Sequence, residues 1–367
     1  MVVVSDAESV REFTKGAGQA TPDRPVAFEK EDVFFLAKMM LDEIMEFTAT
    51  VDGPAVCKEK LKSFVRDSKD IPQEEYDMEG DGAVRKVADQ ADALVDSYYY
   101  SLNAAAKKGI NLSSVFNVVH QANMDKRDPV TNEFLKRADG KIIKPAGWQP
   151  PNIDKEILRQ QTEGSFPSQL PTETHIPNSD AEMVREFTAG AGQPTPCQPV
   201  AFTREEVFFL AKMMLDEIME FTATVAGPEE SKSTLCQFID KSKDIEQEVY
   251  EDNDAGQVKK IGDQADALVD SYYYSLNAAA RQGINLSALF EIVHQANMNK
   301  RCPVTKKFLR RDDGKIIKPK GWMPPNIEGE IQRQMDETSF PSVQVLEKKF
   351  EHQCNLVREG QVLQAKN

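Results

Sequence analysis

Residues 38–47, KMMLDEIMEF, place acidic side chains inside an apolar helical pattern. The apolar positions recur at the i, i+3, i+4 and i+7 spacing of a buried helix face: Val33, Leu36, Ala37, Met40, Leu41, Ile44 and Phe47. The sequence therefore predicts a helix over residues 29–50. Glu43 and Glu46 border its apolar stripe, whereas Asp42 points further away. Because buried carboxylates need a partner, the stretch raises the question of what holds the two glutamates.

A second acidic row lies on a predicted helix over residues 83–108, which Gly109 ends. The row repeats at i, i+3, i+7, i+10 and i+14 beside a separate apolar stripe: Asp89, Asp92, Asp96, Tyr99 and Asn103. If the two helices pack together, their carboxylates converge in a partly desolvated groove. Hard carboxylate oxygens of this kind suit Mg²⁺. The residues alone support equally well the alternative that both rows are solvated helix faces.

The whole pattern occurs twice, at an offset of 174 residues, so that Glu43 recurs as Glu217. The register continues without a gap, which predicts one domain over residues 6–168 and a second over 180–342. Residues 169–179 form a polar, proline-containing linker between them. Residues 343–367 form a tail with a short predicted helix. A period of this length indicates tandem domains rather than a solenoid.

Composition excludes several classes of protein. The chain of 367 residues carries a net charge of −15, which disfavours nucleic acids and anionic membranes as partners. No apolar run is long enough to span a membrane, and no signal peptide is visible. The five cysteines show no paired motif, and none is shared between the repeats. We therefore expect a soluble protein of the reducing cytoplasm.

Three separated motifs carry a family resemblance. LDEIMEF together with ADALVDSYYYSLNAAAKKGI resembles the ExxE…ExxD metal motif of the all-α nucleoside triphosphate pyrophosphohydrolases, which include MazG proteins and dimeric dUTPases. Within that superfamily, one branch is similar to the phosphoribosyl-ATP pyrophosphohydrolases. The segments that resemble this branch are VREFTKGAGQ, VVHQANMDKR and RADGKIIKPAGWQPPNI. Two departures are visible. Asp92 and Asp96 are spaced i, i+4 rather than i, i+3, and an acidic segment, PQEEYDMEGDG, lengthens the chain between the motif halves. This segment reads as a lid, a specificity loop or, as its composition favours, a solvated insertion.

The resemblance implies an all-α fold of two tandem MazG-like helical bundles, packed as a pseudo-dimer with short hairpin extensions. It implies Mg²⁺, with Mn²⁺ as an alternative, and cleavage of the α–β phosphate bond of a nucleotide to give a monophosphate and pyrophosphate. The implied metal ligands within the first repeat are Glu43, Glu46, Asp92 and Asp96. Those within the second repeat are Glu217, Glu220, Asp266 and Asp270. The four glutamates are also the catalytic candidates, and the residue that acts as base stays open.

Candidate substrate contacts follow the same motifs. They are Asn103, Asn123, Lys126 and Lys144 in the first repeat, and Asn277, Asn297, Lys300 and Lys318 in the second. Each lysine at a helix end has an ordinary alternative role in balancing the helix dipole. His120 and His294 are read as core histidines or as groups behind the site. Trp148 and Trp322 are read as packing against their own domain, with base stacking as the alternative.

Two alternatives stay open at the level of the whole protein. The repeats could pair within one chain, or each repeat could pair with a second chain in a homodimer. The protein could also be a non-catalytic nucleotide-binding, metal-binding or scaffold protein that keeps the fold. Retention of every candidate ligand in both repeats favours the enzyme.

Overall fold

The computed structural model describes residues 4–78, 80–137, 141–166, 178–311 and 315–340. Within these ranges the regular secondary structure is twelve α-helices without a strand, six from each repeat. The first repeat contributes α1 (Asp6–Gly16), α2 (Lys30–Ala49), α3 (Pro54–Asp67), α4 (Gly82–Lys107), α5 (Leu112–Met124) and α6 (Ile153–Glu163). The second contributes α7 (Asp180–Gly190), α8 (Arg204–Ala223), α9 (Pro228–Lys241), α10 (Asp254–Arg281), α11 (Leu286–Met298) and α12 (Ile327–Asp336). The all-α prediction is confirmed.

Local sequence signals fix most helix ends. Ser5 and Glu8 form a capping box at the start of α1, and Asn111 caps α5. Gly109, with φ +70°, follows α4, and a Cβ there would lie 2.4 Å from the carbonyl oxygen of Gln198. That glycine is therefore required by its backbone conformation and by the close approach of the other repeat.

Each repeat gives its long helix to the other. α10 packs against α1, α2, α5 and α6, whereas α4 packs against α7, α8, α11 and α12. We call the first group unit 1 and the second group unit 2. Within the described residues α2 and α4 of the same repeat do not touch, so the expectation that they pack together is wrong. Helical periodicity defines a packing face but not its partner, and from Asp89 to Ala106 the sequence of α4 is identical to that of α10.

The two long helices meet at the centre of the molecule. The rings of Tyr98 and Tyr272 stack there with centroids 4.6 Å apart, and both side chains are fully buried. Tyr98 donates a hydrogen bond to Asp180, and Tyr272 donates one to Asp6. Burial raises the pKa of Asp6 to about 6 and that of Asp180 to about 8. This contact joins the first turns of α1 and α7 to the helix crossing.

The connections also cross between repeats. The backbone N–H of Glu74 donates to the carbonyl of Ala223 at 3.1 Å, so the acidic segment of repeat 1 docks on α8 of repeat 2. Glu248 repeats the contact on Ala49 at 3.3 Å. Most side chains of the segment are nevertheless exposed, including those of residues 72–75, in agreement with a solvated insertion. Its backbone is fixed to α8 at Glu74.

The hairpin extension is present. Lys136 pairs with Ile142 in an antiparallel bridge, and Ile143 donates to Leu135 at 2.7 Å. Most of the predicted linker and all of the predicted tail lie outside the described residues, as does the hairpin tip at 138–140. Among the described helices, none has the length and apolar character needed to cross a membrane.

Cutting the chain between the repeats tests the exchange of long helices. With a protease site engineered at residues 170–175, we expect the two cleaved halves to elute together in native size-exclusion chromatography. The reason is that each unit contains a buried helix of the other half. They should separate only in denaturant. Two fragments that elute separately without denaturant would contradict the exchange.

Candidate metal and nucleotide site

The eight candidate carboxylates form two clusters, and each cluster is built from both repeats. Glu43 and Glu46 on α2 lie in the field of Asp266 and Asp270 on α10, in what we call site A. The mirror cluster, site B, joins α8 to α4 and contains Glu217, Glu220, Asp92 and Asp96. The implied grouping of ligands within one repeat is therefore corrected. The exchange of α4 and α10 puts each aspartate pair opposite the glutamates of the other repeat.

Burial and mutual repulsion shape the charge of both clusters. Glu43 and Glu217 are each 7% exposed, and burial, followed by the neighbouring acids, raises the pKa of each to about 9. The same causes raise the pKa of Asp96 and Asp270 to about 7. Burial and mutual repulsion thus favour the protonated forms of the innermost acids as long as no cation offsets their charge.

The donor set fits a hard divalent cation. All the groups are carboxylate oxygens, and one buried oxygen, Oε2 of Glu217, has no hydrogen-bond partner in the described part of the chain. Across the described ranges no three acids converge into a closed ligand shell. Coordination therefore requires these side chains to draw together around the ion.

The two glutamates of each pair have different surroundings. Glu43 and Glu217 are buried against the long helices, whereas Glu46 and Glu220 are exposed at the mouth of the groove. Asp42 is held aside by an ion pair with Lys38 at 2.6 Å, in agreement with its predicted outer position. The groove thus has a buried acidic floor and an accessible acidic rim.

A cavity of about 510 Å³ opens beside Asp92 and Glu220 at site B. Glu74 of the acidic segment lines it together with Lys69 and Ile71, which precede the segment. The positive charge of Lys69 lowers the pKa of Glu220, although burial and Asp216 outweigh it. Sequence reasoning missed this lysine because it reaches the site from the other repeat. Its recurrence as Lys243, beside Glu46, was the only available signal.

A second cavity, of about 330 Å³, is lined by Asp96 of site B. Three of the predicted substrate contacts line it, namely Asn103 from repeat 1 and Asn297 and Lys300 from repeat 2. Trp322 contributes one wall, and its Nε1 donates to the carbonyl of Ala296 at 2.8 Å. The structure thus brings these candidates together across the repeats.

The basic candidates stack on the tryptophans. Nζ of Lys318 lies 4.1 Å from the ring centroid of Trp322, and Lys300 lies 5.5 Å from it. Lys144 and Lys126 make the same pair of contacts with Trp148. Both tryptophans therefore pack within their own repeat, as predicted, and each contacts two lysines. Of these lysines, Lys126 lies in the field of Asp270 and Lys300 in that of Asp96.

The remaining candidates at site A, and the two histidines, also lie near residues of the other repeat. Asn123 accepts a hydrogen bond from Nζ of Lys126 at 2.6 Å, and Lys126 lies in the field of Asp270. Asn277 donates to Thr14 at 2.8 Å. His120 and His294 contact the hydroxyls of Tyr273 and Tyr99, at 3.1 and 3.2 Å. The histidines thus position tyrosines behind the site, and burial lowers the pKa of both.

Comparison with known proteins identifies a family over both repeats. The model of the phosphoribosyl-ATP pyrophosphohydrolase family matches residues 10–123 and, a second time, residues 184–297. Each match contains one glutamate pair and one aspartate pair. Neither a curated protein nor a solved structure matches the chain.

Neutralising the buried aspartates tests their electrostatic cost. The native state keeps these protons to about pH 7, whereas an unfolded aspartate loses its proton near 3.8, so metal-free stability falls as pH rises through this window. In Asp96→Asn with Asp270→Asn, we expect a melting temperature a few degrees above wild type at pH 8.5, and little change at pH 4.5. Added Mg²⁺ should stabilise wild type more than the variant.

Asp125→Asn serves as the control, because its counterpart in the other repeat is Asn299. This control should melt like wild type at both pH values. A lower melting temperature for the double variant at pH 8.5 without metal would show that the clusters are not repulsive.

Proposed function

The chain belongs to the phosphoribosyl-ATP pyrophosphohydrolase family, and we propose that it is a Mg²⁺-dependent nucleoside triphosphate pyrophosphohydrolase with two active sites. The reaction releases a nucleoside monophosphate and pyrophosphate. The observation that carries the proposal is the buried carboxylate cluster, which occurs twice and at site B lies beside cavities lined by Lys69, Asn297 and Lys300.

We assign the metal to the carboxylates of each composite cluster. Glu43, Glu46, Asp266 and Asp270 would hold it at site A, and the equivalent side chains on α8 and α4 would hold it at site B. When bound, Mg²⁺ would offset charge on the phosphate oxygens, with Mn²⁺ as an alternative ion. The proposal is supported by the all-oxygen donor set and by the partnerless oxygen of Glu217.

Side chains of the protein supply the other requirements of hydrolysis. Glu46 and Glu220 are the accessible acids at the groove mouth, so we assign them as acceptors of the proton from the attacking water. As the water oxygen bonds to one of the two phosphorus atoms, the bond from that phosphorus to the α–β bridging oxygen breaks. The bridging oxygen keeps the electron pair and leaves with the other phosphate group. Lys300 and Lys318, or Lys126 and Lys144 at site A, face the phosphate charge. Asn103 and Asn277 are assigned to the nucleoside.

Pyrophosphate release from a panel of nucleoside triphosphates tests this function. With Mg²⁺ present, we expect wild type to release pyrophosphate from at least one of them. Glu46→Gln with Glu220→Gln should lower kcat by about 10²-fold or more, because both proton acceptors are lost. The control Asp125→Asn should keep most activity, since the equivalent position in the other repeat is Asn299 and Asp125 lies outside the clusters.

The same experiment separates the enzyme from a scaffold. If no nucleotide yields pyrophosphate, and metal binding is unchanged in the glutamate double variant, the protein is a non-catalytic binding or scaffold protein. Loss of metal binding in that variant together with loss of pyrophosphate release would support the enzyme.

A further inference from the structure

The two sites differ at one end of their grooves. In unit 1 the groove between α2 and α10 continues from Glu43 past Met39 and Tyr274 to Phe35. A cavity of about 230 Å³ lies at this end. Phe35 lines it and is 57% exposed, which is unusual for a phenylalanine in the middle of a helix. The cavity therefore combines an accessible aromatic face with a position close to the carboxylates.

The polar side chains around this cavity are available to a ligand. Asp32 and Arg281 line it from opposite helices, and Gln19 and Gln282 lie beside them. In the part of the chain that the structure describes, these four side chains have neither a hydrogen bond nor an ion pair. Together they offer hydrogen-bond donors and acceptors next to the ring of Phe35.

At site B the side chains at the equivalent positions are paired with other groups of the protein. Glu206 replaces Asp32 and Lys108 replaces Gln282, and Nζ of Lys108 lies 2.7 Å from the Glu206 carboxylate. The backbone N–H of Thr203 donates to the same carboxylate at 2.8 Å. Gln193, the counterpart of Gln19, accepts from the guanidinium of Arg310 at 2.8 Å when its amide oxygen faces that group. At site B these side chains are therefore paired within the protein, whereas within the described residues their counterparts at site A are unpaired.

We propose that the cavity at Phe35 holds the nucleobase of the substrate at site A, and that the Lys108–Glu206 pair makes site B the less selective of the two. This inference rests on the proposed function, because it takes the ligand of the groove to be a nucleotide. A base has a face for Phe35 and an edge with donors and acceptors for Asp32 and Arg281. The competing location, the face of Trp148, already carries Lys144.

Selectivity follows from the unpaired groups. A base that does not match Asp32 and Arg281 leaves them desolvated and unsatisfied, which lowers its kcat/KM. At site B, Glu206 and Lys108 keep each other as partners whichever base enters. Discrimination there depends mainly on stacking, which every base provides.

Variants with a single working site test the proposal. Glu220→Gln leaves site A, and Glu46→Gln leaves site B. We measure kcat/KM for triphosphates of the four RNA bases with each variant. At site A, kcat/KM for the best base should exceed that for the worst base by about tenfold or more. At site B the two values should differ by about threefold or less.

Introducing the Lys108–Glu206 ion pair of site B at the equivalent positions of site A gives the decisive comparison. Asp32→Glu with Gln282→Lys, placed in the Glu220→Gln chain, should narrow the base preference to that of site B. The matched control is Lys62→Gln, which breaks the Lys62–Asp240 contact, another bond between the repeats. That control should leave the preference unchanged. Circular dichroism confirms that each variant is folded.

The outcomes separate this inference from the proposed function. Equal base preferences at both sites, with pyrophosphate released, would overturn the inference and leave the function intact. If no variant releases pyrophosphate, the proposed function fails. In that case, calorimetry measures the affinities of the same variants for α,β-methylene triphosphates of the four bases, and these affinities test the inference. A wider spread of affinities at site A than at site B supports the inference, and matching spreads overturn it.

Discussion

The crossing of α4 and α10 is the contact on which the rest of the structure depends. Each long helix leaves its own repeat and completes the bundle of the other, with Tyr98 and Tyr272 stacked where the two helices meet. Because the aspartates lie on these helices and the glutamates lie on α2 and α8, neither repeat contains a whole site. The duplication therefore produces two sites that depend on each other, rather than two independent domains.

Burial of acids explains much of the remaining architecture. A cluster of carboxylates in an apolar groove is unfavourable unless protons or cations offset its charge. Lysines offset part of this charge, for example Lys69 near Glu220 at site B and Lys126 near Asp270 at site A. It also holds the outermost acid, Asp42, in a local ion pair. These arrangements leave the inner acids as the groups whose charge a ligand must satisfy.

The sequence was sufficient for the helical faces, the duplication and the acidic rows, because periodicity and spacing record which side chains share a face. It missed α1 and α6, which bury only three residues each and so carry a weak apolar pattern. It also paired Glu43 with Asp92 instead of Asp266. The acidic faces of α4 and α10 have the same sequence from Asp89 to Ala106 and in its repeat, so periodicity alone does not show which repeat each helix packs against. The role of Lys69 was hidden for the same reason.

The composite sites can be tested by combining one glutamate change with one aspartate change. Glu46→Gln with Asp266→Asn damages only site A in the present account, so about half of the pyrophosphate release should remain. Glu46→Gln with Asp92→Asn damages both sites, so almost none should remain. The reverse result, with activity kept by the second pair and lost with the first, would contradict the exchange of long helices.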